Sequence, residues 1–313
     1  MSARVITPSP AAPKRSLGRE DLVHDLRALG VRPGDLINAK VSLKSVGHVE
    51  GGADTLLDAL LEAVGPSGTI VTDSFLEVYP LPLSEENSRK IAERATPSYA
   101  GALANALVRH PRAVRSSHPI QKFAAIGASA EELISAHTPR SYAYDVLRVM
   151  AERGGRNLKI GSEQKTVGVG TTHVAIGLLR LRQKRARAGR AYVADDGKVA
   201  IFERDWAGAC ARGFVNFLPY YGPAGAIVAE GRVGLAEAKI TDMKRTLDIE
   251  LELLRENPSL FMCDEPACVE CRLSWEFSTG HLPEVLFHNL RRRRFGDVLF
   301  ALRTHFNQNY LPK

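Results

Sequence analysis

The sequence predicts an α/β fold in which helices flank a central sheet that is mixed or parallel. Capped amphipathic helices alternate with short apolar runs of strand length, and the connections between them are short. The chain has 313 residues, of which 44% are hydrophobic, so it is long enough for one large domain or two closely packed ones.

The N-terminal elements show this alternation most clearly. Residues 16–31 begin with a serine cap, carry acidic residues in the first turn and end at a glycine, which together indicate a helix. A strand-like run at 36–43, a second capped helix at 51–65 and a second strand at 68–75 follow. This order, with short connections, predicts a right-handed unit of two parallel strands.

The later elements continue the pattern toward the C-terminus. In chain order we predict a helix at 99–110, a strand at 122–127, helices at 129–137 and 144–153, a strand at 157–161, extended segments over 192–234, one long amphipathic helix over 235–257, and helical structure around 284–303. The long helix is expected to end at Asn257, because a proline follows.

Composition divides the chain into three parts. Residues 1–15 are rich in proline, serine and alanine and lack the apolar core of a signal peptide, so we expect a flexible tail. Residues 16–262 are expected to form the main domain. Residues 263–313 contain three of the four cysteines and are expected to form an irregular C-terminal extension packed on that domain.

The net charge is +7, and much of the excess is clustered in residues 180–190 and at Arg291–Arg294. The simpler interpretation is two solvated faces, and the functional one is attraction of an anionic partner such as a phosphorylated cofactor. No zinc-finger spacing, recognition-helix pattern or aromatic RNA-binding motif accompanies these runs, so the sequence does not favour a nucleic-acid partner.

The sequence gives two indications of cellular context. No run of about eighteen apolar residues is present, so we expect no transmembrane helix and no membrane partner. Four cysteines are too few for a secreted chain of this length held by disulfides, which indicates a reducing cytoplasm.

Residues 40–60 place small residues and glycines between a predicted strand and a predicted helix. Backbone N–H groups at such a junction suit a phosphate, and Lys44 could add a positive charge. The spacing matches neither a Walker A motif nor a dinucleotide fingerprint. On the pattern alone, a tight strand–helix connection is the simpler interpretation.

Two further segments carry polar groups beside predicted strands. Residues 115–118 place an arginine, two serines and a histidine before a strand, where they could orient a ligand or form a capped turn. Residues 160–175 contain three glycines and then His173. A glycine-rich loop is typical of a phosphate site, and a histidine at its end is typical of acid–base chemistry.

Three segments in order resemble the aminoglycoside 3-N-acetyltransferase family. Residues 30–75 have a strand ending in Ser-Leu, then Gly, Gly-Gly, a helix and Gly-Pro-x-Gly-Thr, as in the opening block of that family. Residues 96–127 contain Arg-Ser-x-His-Pro before a small apolar strand and resemble its second block. Residues 233–263 resemble its late helix block.

The resemblance implies an antibiotic N-acetyltransferase-like α/β fold, unrelated to the GNAT acetyltransferases, with residues 16–262 as the catalytic domain. It also implies acetyl-coenzyme A as the donor and an amine as the acceptor. The residues that would lie beside the coenzyme A pyrophosphate and pantetheine, or line the same groove, are Ser42, Leu43, Lys44, Gly47, Arg115, Ser116, Ser117 and His118.

The third block of the family corresponds to residues 160–175. His173 matches the family histidine, but the position of the family glutamate is Ile176. An amine is nucleophilic only when neutral, so the resemblance implies His173 as general base. A carboxylate would stabilise its imidazolium, and Glu163 or Asp73 could replace the glutamate. The alternatives are a solvated Glu163 and a His173 that is merely packed at a helix start.

The C-terminal extension contains Cys263, Cys268 and Cys271 in a Cys-x4-Cys-x2-Cys run, which needs one more ligand to form a tetrahedral zinc site. We take His281 as the first choice for the fourth ligand, with His288 and Cys210 as alternatives. Three reduced thiols in a loop, or a redox pair, would explain the run equally well.

These observations predict an acyl-coenzyme A-dependent N-acyltransferase that acts on an amino sugar or another small biosynthetic amine. Backbone N–H groups or serine hydroxyls at 116–118 would stabilise the oxyanion. The alternatives are a diverged member that binds coenzyme A or another ligand without acetyl transfer, and one that catalyses a different reaction on the same scaffold. The acceptor, the acyl length and the oligomeric state stay open, with a homodimer as one candidate.

Overall fold

A computed structural model describes residues 16–161 and 170–312 of the chain. The helices within these residues are α1 Arg19–Leu29, α2 Leu43–Val46, α3 Gly52–Val64, α4 Glu85–Ser88, α5 Ala102–Arg109, α6 Ala130–Ser135, α7 Asp145–Glu152, α8 Thr171–Leu178, α9 Leu218–Tyr221, α10 Met243–Glu256, α11 Leu282–Arg291 and α12 Phe295–Phe306. The strands are β1 Leu36–Val41, β2 Thr69–Asp73, β3 Tyr79–Pro80, β4 Val114–Arg115, β5 Phe123–Gly127, β6 Arg156–Ile160, β7 Gln183–Lys184, β8 Ala188–Val193, β9 Val199–Glu203, β10 Ile227–Val233, β11 Ala236–Asp242 and β12 Tyr310–Leu311.

Seven strands form a mixed central sheet in the order β10-β11-β6-β1-β2-β5-β4. The pairs β1–β2 and β1–β6 are parallel, and the outer pairs on both sides are antiparallel. The predicted α/β class and the parallel unit β1-α3-β2 are confirmed. Two small sheets, β3-β8-β9 and β12-β7, lie outside the central one.

The sheet is covered by apolar side chains on both faces. One buried cluster contains the inward residues of α1, α3 and α5 together with alternate residues of the central strands. A second cluster joins α6, α7, α8 and α10 to the segment from 206 to 226. Strands covered on both faces read as nearly continuous apolar runs, which is why the β2 strand was recognisable in the sequence.

The long helix predicted over 235–257 is wrong in its first third. Residues Ala236–Asp242 form strand β11, and the helix begins only at Met243. The segment alternates buried Ala236, Ala238 and Ile240 with more exposed residues, which is the period of a strand. Asp242 then caps α10, because its carboxylate accepts a hydrogen bond from the backbone N–H of Arg245 at 2.9 Å.

The extended character predicted for 192–234 is only partly right. Strands β9 and β10 lie in this range, but Ala211–Phe217 is a 3₁₀-helix that continues into α9. The aromatic residues that suggested strands here, Phe214 and Phe217, are buried in the core instead. Within the described residues, no helix is long and apolar enough to cross a membrane.

Candidate functional site

The candidate site lies where β1, β2 and β6 end at the same edge of the sheet. Ser42 follows β1, Asp73 ends β2, and the chain after β6 leads to α8, which carries His173. The backbone N–H of Ser42 donates to the carbonyl of Ile160 at 2.8 Å, which brings the ends of β1 and β6 together. In open α/β sheets, this edge is where ligands bind.

The junction after β1 forms a short helical turn rather than an open loop. Residues Leu43–Val46 are helical, and Ser42 and Ser45 share a hydrogen bond between their hydroxyls at 2.8 Å. Gly47 follows with a φ of 111°, which favours glycine. Lys44 is exposed beside this turn.

Asp73 is paired with a lysine instead of a histidine. Parallel pairing sets Asn38 opposite Val71, so Lys40 lies beside Asp73 two residues further along the strands. The Lys40 Nζ atom lies 3.2 Å from Asp73 Oδ2. Asp73 therefore forms an ion pair with Lys40, and its expected role in stabilising the His173 imidazolium stays a prediction.

His173 lies between two aromatic rings at the start of α8. Its imidazole stacks on Tyr144, with ring centroids 4.4 Å apart and planes inclined by 7°, and Phe214 meets it edge-on at 5.0 Å. The Tyr142 hydroxyl donates to the backbone carbonyl of His173 at 2.9 Å. Within the described residues, the buried Nδ1 atom of His173 has no hydrogen-bond partner.

His173 is held uncharged by its surroundings. Burial, followed by repulsion from the positive charges of Lys40 and Arg185, lowers its pKa from 6.5 to about 3. The side chain is nevertheless only partly buried. A neutral imidazole is the form that accepts a proton.

The position expected for the family glutamate is buried among apolar side chains. Ile176 is 1% exposed and lies in the second apolar cluster. A different carboxyl, Glu250 of α10, lies under the start of α8 and accepts hydrogen bonds from the hydroxyls of Thr172 and Tyr221, each at 2.5 Å. Burial raises the pKa of Glu250 to about 7. Glu250 is not among the charges that shift the pKa of His173.

Further cations lie near His173 and Tyr144. Arg185 pairs with Glu270 at 3.2 Å. Burial, and then the charge of Arg185, lowers the pKa of Arg204 to about 9, and the Tyr144 and Tyr99 hydroxyls lie close enough to act on Arg204 as well. Within the described part of the chain, no carboxylate forms a salt bridge with Arg204. The charged groups named here are three cations, Lys40, Arg185 and Arg204, and two carboxylates, Asp73 and Glu270, so the cations are in excess by one.

In the block from Arg115 to His118, the polar side chains mainly form hydrogen bonds with backbone groups of the protein. The Arg115 guanidinium donates to the carbonyls of Arg94 and Ser74 at 2.7 and 2.8 Å, and Ser116 pairs with Phe123 through both its backbone and its hydroxyl. Ser117 is exposed.

His118 is fully buried. Its Nδ1 accepts the backbone N–H of Gln121 at 3.0 Å, and its ring stacks on His137 with centroids 4.9 Å apart. Burial, and then the charges of neighbouring groups, lowers the pKa of His118 to about 2. The roles expected for this block in catalysis and cofactor binding stay predictions.

Sequence patterns missed several residues of the site. Tyr144 and Phe214 contact His173 from a helix cap and a 3₁₀ turn, and no motif marked either of them. Arg204 lies after β9, outside the basic run at residues 180–190. Glu163, the first candidate for the missing carboxylate, lies outside the described residues.

Four cysteines converge at the C-terminal extension. The sulfurs of Cys210, Cys263, Cys268 and Cys271 all lie within 4.8 Å of one another. The expected fourth ligand, His281, does not belong to this group and instead precedes α11 at its N-cap. Spacing favours a nearby residue such as His281, whereas the fourth sulfur of the group belongs to Cys210, 53 residues upstream of Cys263.

Comparison with known proteins agrees with this geometry. Residues 39–255 match the family model described as aminoglycoside 3-N-acetyltransferase. Aminoglycoside N(3)-acetyltransferase VIII of Streptomyces fradiae is 32% identical over 200 residues, covering 58% of this chain and 66% of the relative. Aminoglycoside N(3)-acetyltransferase III of Salmonella sp. is 38% identical over 124 residues, covering 36% of this chain and 43% of the relative. The chain thus spans less than two thirds of these curated relatives.

Solved structures share the fold over a larger part of the chain. The structure of AAC-IIIb in a binary complex with CoASH has a TM-score of 0.66 and 25% identity, covering 77% of this chain and 97% of the other. The structure of AAC(3)-IVa without ligand has a TM-score of 0.66 and 26% identity, and the match covers 83% of this chain and 97% of the other. The match to the family model, over more than two thirds of the sequence, shows that this chain belongs to the aminoglycoside 3-N-acetyltransferase family.

Proposed function

We propose that the protein is an acetyl-coenzyme A-dependent N-acetyltransferase in which His173 accepts the proton of the acceptor amine. The observation that carries this proposal is the placement of a neutral, partly accessible imidazole at the ligand-binding edge of the sheet. Family membership and the coenzyme A complex of a structural neighbour support the choice of donor.

The reaction requires one proton transfer and one acyl transfer. The acceptor nitrogen attacks the thioester carbonyl, the C–S bond breaks, and the amide forms as the thiol of coenzyme A leaves. His173 takes the proton that the nitrogen loses and returns it to the departing sulfur. The turn of Ser42 to Gly47 would hold the donor, because backbone N–H groups and Lys44 suit its phosphates.

The charge of the site indicates the class of acceptor. The charges of Lys40 and Arg185 oppose an imidazolium at His173, and Arg204 adds a third cation, on which Glu270 acts without a salt bridge among the described residues. A polycationic acceptor would increase this repulsion. An acceptor that carries a carboxylate or phosphate beside its amine would bind the arginines and raise the proton affinity of His173. We therefore propose an anionic amine, such as an acidic amino sugar or another small biosynthetic amine.

Thiol release from acetyl-coenzyme A with matched acceptors tests this proposal. The panel pairs an amino sugar with its phosphate ester and includes an aminoglycoside. We expect the phosphate ester to give the highest kcat/KM. A clear preference for the aminoglycoside would contradict the anionic-acceptor assignment while leaving acetyl transfer intact.

Two matched variants test whether Arg204 binds the anionic group of the acceptor. Arg204→Gln should raise KM for the anionic acceptor by about tenfold, which is the loss of one charged hydrogen bond, with little change for the neutral sugar. Arg232→Gln removes an exposed arginine of β10 and should change neither value. Equal effects of Arg204→Gln on both acceptors would contradict a role in anion binding.

A second candidate function is a diverged member that binds coenzyme A without acetyl transfer. Ile176 favours it, because the apolar environment at this position leaves the His173 imidazolium without the expected carboxylate. Calorimetry with coenzyme A distinguishes the two functions. Binding without turnover of any amine in the panel would favour the second.

A further inference from the structure

The four cysteine sulfurs have the spacing of a metal site. The Sγ atoms of Cys210 and Cys263 lie 3.8 Å apart. Tetrahedral zinc with Zn–S bonds of about 2.3 Å places its sulfurs about 3.8 Å from one another. A disulfide needs sulfurs at about 2.05 Å, and all four cysteines are free.

The surroundings of the cluster suit thiolates. The backbone N–H of Cys263 donates to Cys271 Sγ at 3.4 Å, so part of the sulfur charge is already hydrogen-bonded. Arg212 lies two residues after Cys210. Four thiolates around one divalent ion carry net negative charge, which a neighbouring guanidinium offsets.

The apolar core of the C-terminal helices is small. Their buried apolar cluster consists of Val269, Leu273, Val285 and Ala301, with three partly buried neighbours. A core of this size stabilises a small helical unit only weakly, and such units usually depend on a metal or disulfides. The cluster joins this unit to the main domain, because Cys210 comes from the segment before the 3₁₀-helix.

That same segment forms a wall of the candidate active site. Trp206, four residues before Cys210, meets His118 edge-on with centroids 5.4 Å apart, and Phe214, four residues after it, meets His173 at 5.0 Å. The backbones at Gly213 and Phe261 approach so closely that a Cβ at Gly213 would lie 2.1 Å from the Phe261 carbonyl oxygen. The position of Cys210 therefore helps to fix both aromatic contacts.

We propose that Cys210, Cys263, Cys268 and Cys271 bind one zinc ion, and that this ion fixes the segment carrying Phe214 against His173. Four thiolates at tetrahedral spacing suit zinc, which has no redox chemistry of its own. The ion has a structural role, since all four of its positions are filled by protein and none remains for substrate.

Metal content of the full-length protein tests the site without reference to activity. We expect about one zinc per chain, released when a mercurial blocks the thiols. Replacement by Co²⁺ should give the visible bands of tetrahedral cobalt thiolate. Less than half an equivalent of zinc in protein purified without chelator, or iron in its place, would overturn the proposal.

Two variants identify the fourth ligand. Cys210→Ser should lose most of the bound zinc, whereas His281→Ala should keep it. Retention of zinc by Cys210→Ser, or loss of zinc from His281→Ala, would overturn the assignment of Cys210 as the fourth ligand. If Cys210→Ser does not fold, the cobalt spectrum of the unaltered protein decides, because a fourth ligand from histidine shifts the charge-transfer bands.

Hydrogen exchange tests the connection to the active site. Removing zinc with a chelator should speed amide exchange across 204–217 by about tenfold or more, because local opening there becomes easier. The strand Thr69–Asp73 is the internal control and should keep its protection. Unchanged exchange in 204–217 after complete zinc removal would refute the role of the ion in fixing this segment. The zinc result stands or falls independently of the proposed acetyl transfer.

Discussion

The low pKa of His173 makes the stability of the protein depend on pH in a way that one substitution can isolate. His173 has a pKa of about 3 in the folded protein and 6.5 when unperturbed. Its folded pKa is the lower one, so its contribution is fully present above pH 6.5 and is lost as the pH falls toward 3. Between roughly pH 7.5 and pH 5, the unfolded chain gains about 2 kcal/mol from protonating this one group.

Replacing His173 by glutamine removes this contribution. The free energy of unfolding, measured with urea, should fall between about pH 7.5 and pH 5 in both proteins. The fall should be about 2 kcal/mol smaller in His173→Gln than in the unaltered protein. Part of the fall in the free energy of unfolding remains in His173→Gln, because burial also lowers the pKa values of His118 and His137. The control His24→Gln, at an exposed position of α1, should behave like the unaltered protein. Equal falls in His173→Gln and the unaltered protein would refute a neutral, desolvated His173.

Three further predictions concern the scaffold. Gly213→Ala should destabilise the protein by about 3 kcal/mol, measured by urea unfolding, because its Cβ would overlap the Phe261 carbonyl oxygen; an effect below experimental error would contradict the close approach. Asp242→Ala should lower the free energy of unfolding by about 1 kcal/mol, because the Arg245 N–H at the start of α10 loses its hydrogen-bond acceptor. Asp242→Asn keeps an acceptor at this position and should lose much less stability. Burial raises the pKa of Glu250 to about 7, so the contribution of this carboxyl to stability should fall as the pH rises from 4.5 through 7, opposite in sign to that of the buried histidines; the rise in stability over this range should therefore be larger in Glu250→Gln than in the unaltered protein.

The central part of the fold could be predicted because local and long-range signals agree there. Capped helices at 16–31 and 51–65 flank apolar runs too short for helices, and the order leaves one parallel arrangement. Prediction failed at 235–242, where a strand runs directly into a helix. Helical periodicity from α10 was extended backwards over Ala236–Asp242, although that segment alternates with a period of two and its strand pairing depends on β6, which lies far away in the sequence.

The candidate site could be predicted only where the residues lie in a motif. His173 and the turn at Ser42 were found because they follow strands in a recognisable order. Tyr144, Phe214 and Cys210 reach the site or the cysteine cluster by tertiary packing alone, so their spacing in the sequence carries no signal. The charge of the site is also a property of the fold, since Lys40 and Arg185 come together only when β1 and the segment after α8 pack.

The most direct test of the account is the turnover of His173→Gln with acetyl-coenzyme A and the best acceptor of the panel. A general base contributes about a hundredfold or more to turnover, so kcat should fall by at least that factor. Coenzyme A affinity, measured by calorimetry on the same preparation, should stay the same, because the proposed donor site is the turn after β1 and not His173. An unchanged kcat would contradict the central claim that His173 accepts the proton of the amine.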